Sequence, residues 1–227
     1  MSAIKLVIFD IAGTIVEDHG EVVNAFSAAL TQSAIPFQQE ELKRRTGASK
    51  REVIRHFVRE SHGQADETEL VEAIYRQFRD ELRTAYGRQL RPIAGAAETF
   101  SWCRGHGISI ATTTGFYREI SESILEKTGW RDVFQANISS TDVKQGRPAP
   151  DMIFRAMEAT GVRDAKYVIN VGDTPLDLQS GSNSGARAVV GVLTGAHSRG
   201  ALEMHPHTHI LGSIAELPQL IESEFRK

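Results

Sequence analysis

A single cysteine, Cys103, stands in a chain of 227 residues, so no internal disulfide can form. That scarcity fits a reducing compartment, and a cytoplasmic location is the expectation. Positive charge is not in surplus: 26 Lys and Arg face 29 Asp and Glu, for a net charge of −3. No global field draws such a molecule to nucleic acid or to an anionic membrane, and neither is expected as a partner. No apolar run approaches the length of a membrane span. Repeats and low-complexity tracts are missing as well. Met1-Ser2-Ala3-Ile4-Lys5 leads straight into an apolar strand, without the charged and apolar regions of a signal peptide. What remains is 41% hydrophobic and 24% charged, the balance of a soluble globular protein. The length allows one large domain or one domain with an insert.

Short apolar strands alternate with amphipathic helices, which predicts an α/β fold built on a parallel sheet covered on both faces. Strands are expected at Ile4–Phe9, Ile108–Thr113, Gln135–Ile138, Tyr167–Val171, Ala188–Val192 and His209–Leu211. Helices are expected at Ala96–Arg104, Arg118–Thr128, Asp151–Thr160, Leu176–Ser182 and Ile214–Phe225. The alternation stops between Val22 and Tyr86, where every periodic segment is helical. An all-helical insert after the first strand reads as a cap over the crevice at the strand ends. The expected division is a core of residues 1–17 and 88–227 and a cap of residues 18–87.

Four segments fall at strand ends. Asp10, in Phe9-Asp10-Ile11-Ala12-Gly13-Thr14, places a carboxylate at a crevice, although a lone aspartate there often only caps a turn. Thr113, Thr114 and Gly115 precede a helix, where hydroxyls and free N–H groups hold phosphoryl oxygens or simply cap the helix. Arg147 lies in Gly146-Arg147-Pro148, a stiff turn that can fix a cation beside Asp10 and keep it ionised. Asp173 ends the fourth strand and offers a second carboxylate to a hard cation such as Mg²⁺. Thr174, Pro175 and Asp177 read as N-cap, N1 and N3 of the next helix, so Asp177 is either metal support or structural.

The order and spacing of these segments resemble the haloacid dehalogenase-like hydrolases over essentially the whole chain. That resemblance implies a Rossmann-like core with strand order 5-4-1-2-3 and an aspartyl-phosphoryl intermediate on Asp10. It implies Mg²⁺ held by Asp10, Asp173 and the carbonyl of Ala12. Thr114 matches the family's phosphate-binding hydroxyl, and Arg147 stands where a lysine is usual.

Ala12 occupies the position where most phosphatases of that family carry an aspartate that protonates the leaving alcohol. Alanine moves no proton, so the leaving group must be activated elsewhere. Asp-x-Ala-Gly-Thr is similar to the phosphonatase-like branch. Thr113-Thr114-Gly115-Phe116-Tyr117-Arg118-Glu119 and Asp142-Val143-Lys144-Gln145-Gly146-Arg147-Pro148 also resemble its segments. The resemblance implies a cap lysine that forms a Schiff base with a substrate aldehyde. Thr46-Gly47-Ala48-Ser49-Lys50-Arg51-Glu52-Val53 matches the pattern's glycine and lysine, while its methionine and histidine are Thr46 and Val53. Phe116 replaces a tyrosine, and Gly20 stands near a cysteine of the pattern.

Ser49 and Glu52 are expected to form a capping box that makes Lys50 the first residue of a helix. At about 100° per residue, Lys50 falls on the stripe of Val53, Ile54, Phe57 and Val58. Burial, the helix N-terminus and nearby Arg44, Arg45 and Arg51 should lower its pKa, which suits an imine-forming amine. A first-turn lysine that snorkels to water is the alternative. His56 lies too far round the helix to assist it.

Lys43 to Arg59 holds seven basic residues and one acidic one, expected to be a solvated face rather than a phosphonate lure. His205, His207 and His209 read as a loop entering a strand rather than a metal site. Trp102 and Cys103 read as packing.

The chain thus reads as a Mg²⁺-dependent hydrolase of a small phosphonate or phosphate, with Asp10, Lys50, Thr114 and Arg147 catalytic. Thr113, Gly115 and Lys50 would bind substrate. Hydrolysis without a Schiff base, and an inactive binding protein on the same scaffold, are the alternatives. A homodimer is left open.

Overall fold

A computed structural model describes residues 4–63, 68–88 and 90–225. The strands β1 (Leu6–Phe9), β2 (Ser109–Thr114), β3 (Ala136–Ser139), β4 (Val168–Gly172), β5 (Ala188–Val192) and β6 (His209–Leu211) form one parallel sheet. Its order is β3-β2-β1-β4-β5-β6, which contains the expected 5-4-1-2-3 run and adds β6 at the edge. Boundaries differ from the sequence expectation by a residue or two at most.

β1 is apolar at every position because both of its faces are covered. Successive side chains point to opposite faces. Leu6 and Ile8 join Met152, Ile153 and Ala156 of α7 (Asp151–Thr160). Val7 and Phe9 join the main cluster, which includes Phe100 of α5 (Ala96–Gly105). Phe9 meets the Phe100 ring edge-on at 5.3 Å, and Phe100 meets Phe134 at 4.9 Å and Trp130 at 5.0 Å. Cys103 is fully buried beside them, as packing requires.

Between β1 and β2 lie α1 (Glu21–Gln32), α2 (Gln39–Arg45), α3 (Lys50–His62) and α4 (Thr68–Arg88). Phe26 of α1 stacks on Phe78 of α4 at 4.3 Å, and Val53, Ile54, Phe57 and Val58 are buried along α3. The two linkers into this unit are tied together. Glu17 N–H donates to Arg91 C=O at 2.8 Å and Ile93 N–H to Ile15 C=O at 2.9 Å. The start and end of the helical unit therefore leave the core side by side.

The remaining helices are α6 (Arg118–Lys127), α8 (Pro175–Asn183), α9 (Arg199–Glu203) and α10 (Leu217–Glu224). The stretch expected as one helix from Ile214 begins as a 3-10 turn, Ile214–Glu216, capped by Ser213. α9 has five residues, too few for a helical period to show in sequence. The His205–His209 segment forms no metal cluster among the described residues: His205 pairs with Gln179 and His209 with Glu224.

Candidate active site

β1 is central, so Asp10, the β2 end and the β4 end meet at one edge of the sheet. Asp10 N–H donates to Val171 C=O at 2.9 Å, which locks the loop after β1 to β4. Arg147 crosses from the loop before α7 and joins three elements. Its Nη2 donates to Asp10 Oδ1 at 2.8 Å, Thr113 C=O at 2.8 Å and Thr113 Oγ1 at 3.0 Å. Its Nη1 pairs with Asp177 Oδ1 at 2.7 Å.

Asp177 has both of its expected structural bonds. Thr174 Oγ1 accepts from Asp177 N–H at 3.3 Å, and Asp177 Oδ2 accepts from Thr174 N–H at 3.0 Å, closing a capping box on α8. Asp177 is also brought to Asp10 and Asp173: one carboxylate oxygen of each lies within 4.8 Å of the others. Thr14 Oγ1 donates to Asp173 Oδ1 at 3.0 Å. Gly13, at φ 82°, lies against that carboxylate, and a Cβ there would sit 2.6 Å from Asp173 Oδ2. Gly195 is pressed on the same group from the loop after β5. Only glycine permits both approaches.

The three buried acids face little positive charge. Burial raises Asp10 to about 6 despite the opposing Arg147, with Asp177 adding to the rise. Arg147 pulls against that rise, in the direction expected from the sequence, but burial outweighs it. Burial, then Asp10 and Asp177, raise Asp173 well above its usual range. Burial opposes the charge on Arg147, but Asp177 and Asp10 outweigh it.

Lys50 is 5% exposed and begins α3, as its place on the apolar stripe required. The expected Ser49–Glu52 capping box is absent: Ser49 is the N-cap but accepts no side-chain cap bond. Ser49 Cβ instead packs toward Gly146 of the core. Lys50 Nζ donates to Thr46 C=O, just past α2, and to Ala48 C=O at 3.4 Å, and it lies 5.1 Å from the Phe116 ring centre. Burial lowers its pKa to about 8, against the pull of Asp10, and Arg147 adds like-charge repulsion. Repulsion was expected from Arg44, Arg45 and Arg51. Arg45 is instead paired with Glu41 at 2.9 Å and Arg51 with Glu72 at 2.6 Å. With Lys43 on Glu40, the basic run is largely a paired surface. His56 turns to Glu41 at 2.8 Å and not to Lys50.

Between the helical unit and the core lies a small, partly open cavity of about 30 Å³, lined by Asp10, Ala12, Lys50, Thr114, Arg147 and Asp173 among others. Thr114 Oγ1 accepts from Phe116 N–H at 3.1 Å. Gly115 meets the cap so closely that a Cβ would lie 2.6 Å from Ala48 C=O. Gly47 meets Thr174 Oγ1 in the same way, at 2.5 Å. Asp18 and Ala196 line the void without having stood out in sequence, and Thr46, which entered only as a mismatch beside Gly47 and Lys50, lines it too. The Asp18 and Ala196 loops carry no motif, and only the fold brings them in.

The family model of haloacid dehalogenase-like hydrolases matches residues 7–191. The chain belongs to that family. This hydrolase is 32% identical to phosphonoacetaldehyde hydrolase from Paraburkholderia xenovorans over 215 residues, 89% of this chain and 80% of the relative. It is 30% identical to phosphonoacetaldehyde hydrolase from Latilactobacillus sakei, over 83% of this chain and 76% of the relative. A phosphonoacetaldehyde hydrolase-like protein from Oleispira antarctica shares the fold, with a TM-score of 0.85 at 23% identity, covering 97% of this chain and 92% of that one. Two stretches of the hydrolase that resemble the phosphonatase branch are tied together by Arg118 and Asp142, whose side chains pair at 2.6 Å. No helix among the described residues is long and apolar enough to cross a membrane.

Proposed function

We propose that this hydrolase cleaves the C–P bond of phosphonoacetaldehyde or a close phosphonate, using Lys50 to activate the carbon and Asp10 to accept the phosphoryl group. The observation that carries the reading is the pairing of Ala12 with a buried, pKa-lowered Lys50 in one cavity. An alanine beside the nucleophile cannot protonate an alkoxide, and an imine removes the need.

In this reading neutral Lys50 Nζ adds to the aldehyde carbon, and loss of water gives an iminium ion. Asp10 attacks phosphorus as the C–P electron pair moves into the enamine. Arg147 holds Asp10 in place, and Thr114 and the N–H groups after β2 receive phosphoryl oxygens. Water then hydrolyses the aspartyl-phosphoryl group, the enamine carbon takes up a proton to give the iminium ion, and water hydrolyses that ion to release acetaldehyde and free Lys50. The buried acids fit a hard divalent cation, since three carboxylates converge with the charge of Arg147 between two of them. Asp10, Asp173 and the Ala12 carbonyl would hold Mg²⁺, with Asp177 behind them. Bound there, the ion supplies charge stabilisation to the phosphoryl oxygens.

Incubation with phosphonoacetaldehyde should release acetaldehyde and phosphate in equal amounts. Borohydride should trap a reduced adduct at Lys50, and Lys50→Arg should abolish both. Turnover without any adduct would overturn the imine. A second reading, hydrolysis of another small phosphate or phosphonate without an imine, is favoured by the carbonyl bonds that Lys50 Nζ makes. Under it, Lys50→Arg keeps part of the activity.

A further inference from the structure

Asp10 and Asp173 line the phosphorus end of the void, but a third carboxylate, Asp18, lines it as well. Asp18 lies on the linker into α1. Its Oδ1 accepts from Gly20 N–H at 3.1 Å and from Val22 N–H at 3.4 Å, which fixes the carboxyl group. It also shares a side-chain hydrogen bond with Glu21, whose Oε2 accepts from His19 N–H. Lys50 of α3 is among the charges that act with it.

The imine route needs an acid near Lys50. Addition of the amine gives a carbinolamine, and its hydroxyl must leave as water. Ala12, Val53 and Phe116 move no proton. We propose that Asp18 is a further catalytic acid of this site, which protonates the departing carbinolamine hydroxyl. The C–O bond breaks, the nitrogen lone pair forms C=N, and Asp18 is left as a carboxylate. When water later adds to the iminium ion, Asp18 takes the proton released, so the cycle closes without another reagent. This step rests on the phosphonoacetaldehyde reading.

The surroundings raise the proton affinity of Asp18 toward neutrality. Burial first, then the Glu21 carboxylate, raise it to about 6. Glu21 of α1 is hydrogen-bonded to it, and Lys50 of α3, the phenol of Tyr86 of α4 and Asp173 at the β4 end are the titratable groups that feel its charge. Burial holds Tyr86 protonated, and its buried hydroxyl has no partner among the described residues.

The working form therefore needs protonated Asp18 and neutral Lys50, with values of about 6 and about 8. The product of those two fractions is flat between the two values and falls on either side. The experiment is borohydride trapping at Lys50 with phosphonoacetaldehyde, timed across pH in wild type, Asp18→Asn and Glu21→Gln. Asparagine keeps an oxygen for Gly20 and Val22 N–H, so the linker can be retained. Asp18→Asn should trap about 100-fold more slowly near neutrality, within the usual range for a lost general acid. It should also lose the fall above about pH 8, its rate rising with the free amine and then levelling. Glu21→Gln removes a charge that holds the proton, so the lower break should move to lower pH and the flat region should drop. An adduct in wild type that forms equally fast in Asp18→Asn, with the same profile, overturns Asp18 alone. No adduct in wild type overturns the imine reading itself and the step built on it. If Asp18→Asn does not fold, an unchanged profile in Glu21→Gln overturns the proposal.

Discussion

Replacing Arg147 by lysine would keep one positive charge but lose the second arm that reaches Asp177. Asp10 and Asp177 are each paired with this one buried guanidinium. A charged hydrogen bond is worth roughly 1.5–3 kcal/mol, so Arg147→Lys should lower kcat/KM about 10- to 100-fold, read by steady-state kinetics. Arg147→Met leaves buried carboxylates unpaired and should cost about 3–5 kcal/mol in urea unfolding. An unchanged midpoint would refute that role. Lys50 gives a second test at this scale. Its folded pKa is depressed, so the unfolded chain binds the extra proton between about pH 8 and the ordinary value of 10.5. Stability from this group therefore rises with pH across that window. Relative to Lys50→Met, wild type should gain up to about 3 kcal/mol between pH 7 and pH 10.

At the scale of elements, two glycines decide how closely the cap can seat. A methyl at Gly115 would press on the Ala48 carbonyl, and neither backbone can turn aside cheaply. Gly115→Ala should raise KM and lower kcat while α1–α4 and the sheet stay folded. Faster proteolysis of the cap with unchanged circular dichroism would check it. β1 and β5 were legible in sequence because full burial makes them continuous apolar runs, and so was Asp10 at the end of β1. Lys50 was legible through the helical period. Its bond to the Thr46 carbonyl was not, because it depends on how α2 ends against α3. Asp18 was hidden for a related reason: Glu17-Asp18-His19-Gly20 reads as a polar linker until the cap folds back. Ser49 misled because the spacing of a capping box says nothing of Gly146 packing against the same side chain.

At the scale of the molecule, the void is too small for a phosphonate to enter or for two products to leave. Typical small-molecule sites hold about 300–1,000 Å³. Turnover is therefore expected to need the helical unit to part from the core, and the paired linkers near Glu17 and Arg91 are where the two join. If that motion limits turnover, kcat should fall in proportion to added microviscogen, whereas a slow chemical step would leave it flat. Arg79 of α4 lies 4.3 Å from the Tyr117 ring at the start of α6, a contact that parts with the cap. Arg79→Ala should raise the opening rate, seen as faster hydrogen exchange in α4.

A cavity of about 30 Å³ has room for only a few water molecules. In the proposed reaction two waters are consumed per cycle, one at phosphorus and one at the imine, while imine formation gives one back. The cavity itself holds only a small store to draw on. The water that frees Asp10 competes with substrate for that same small space, so beside this carboxylate water acts as a counted reagent more than as a solvent.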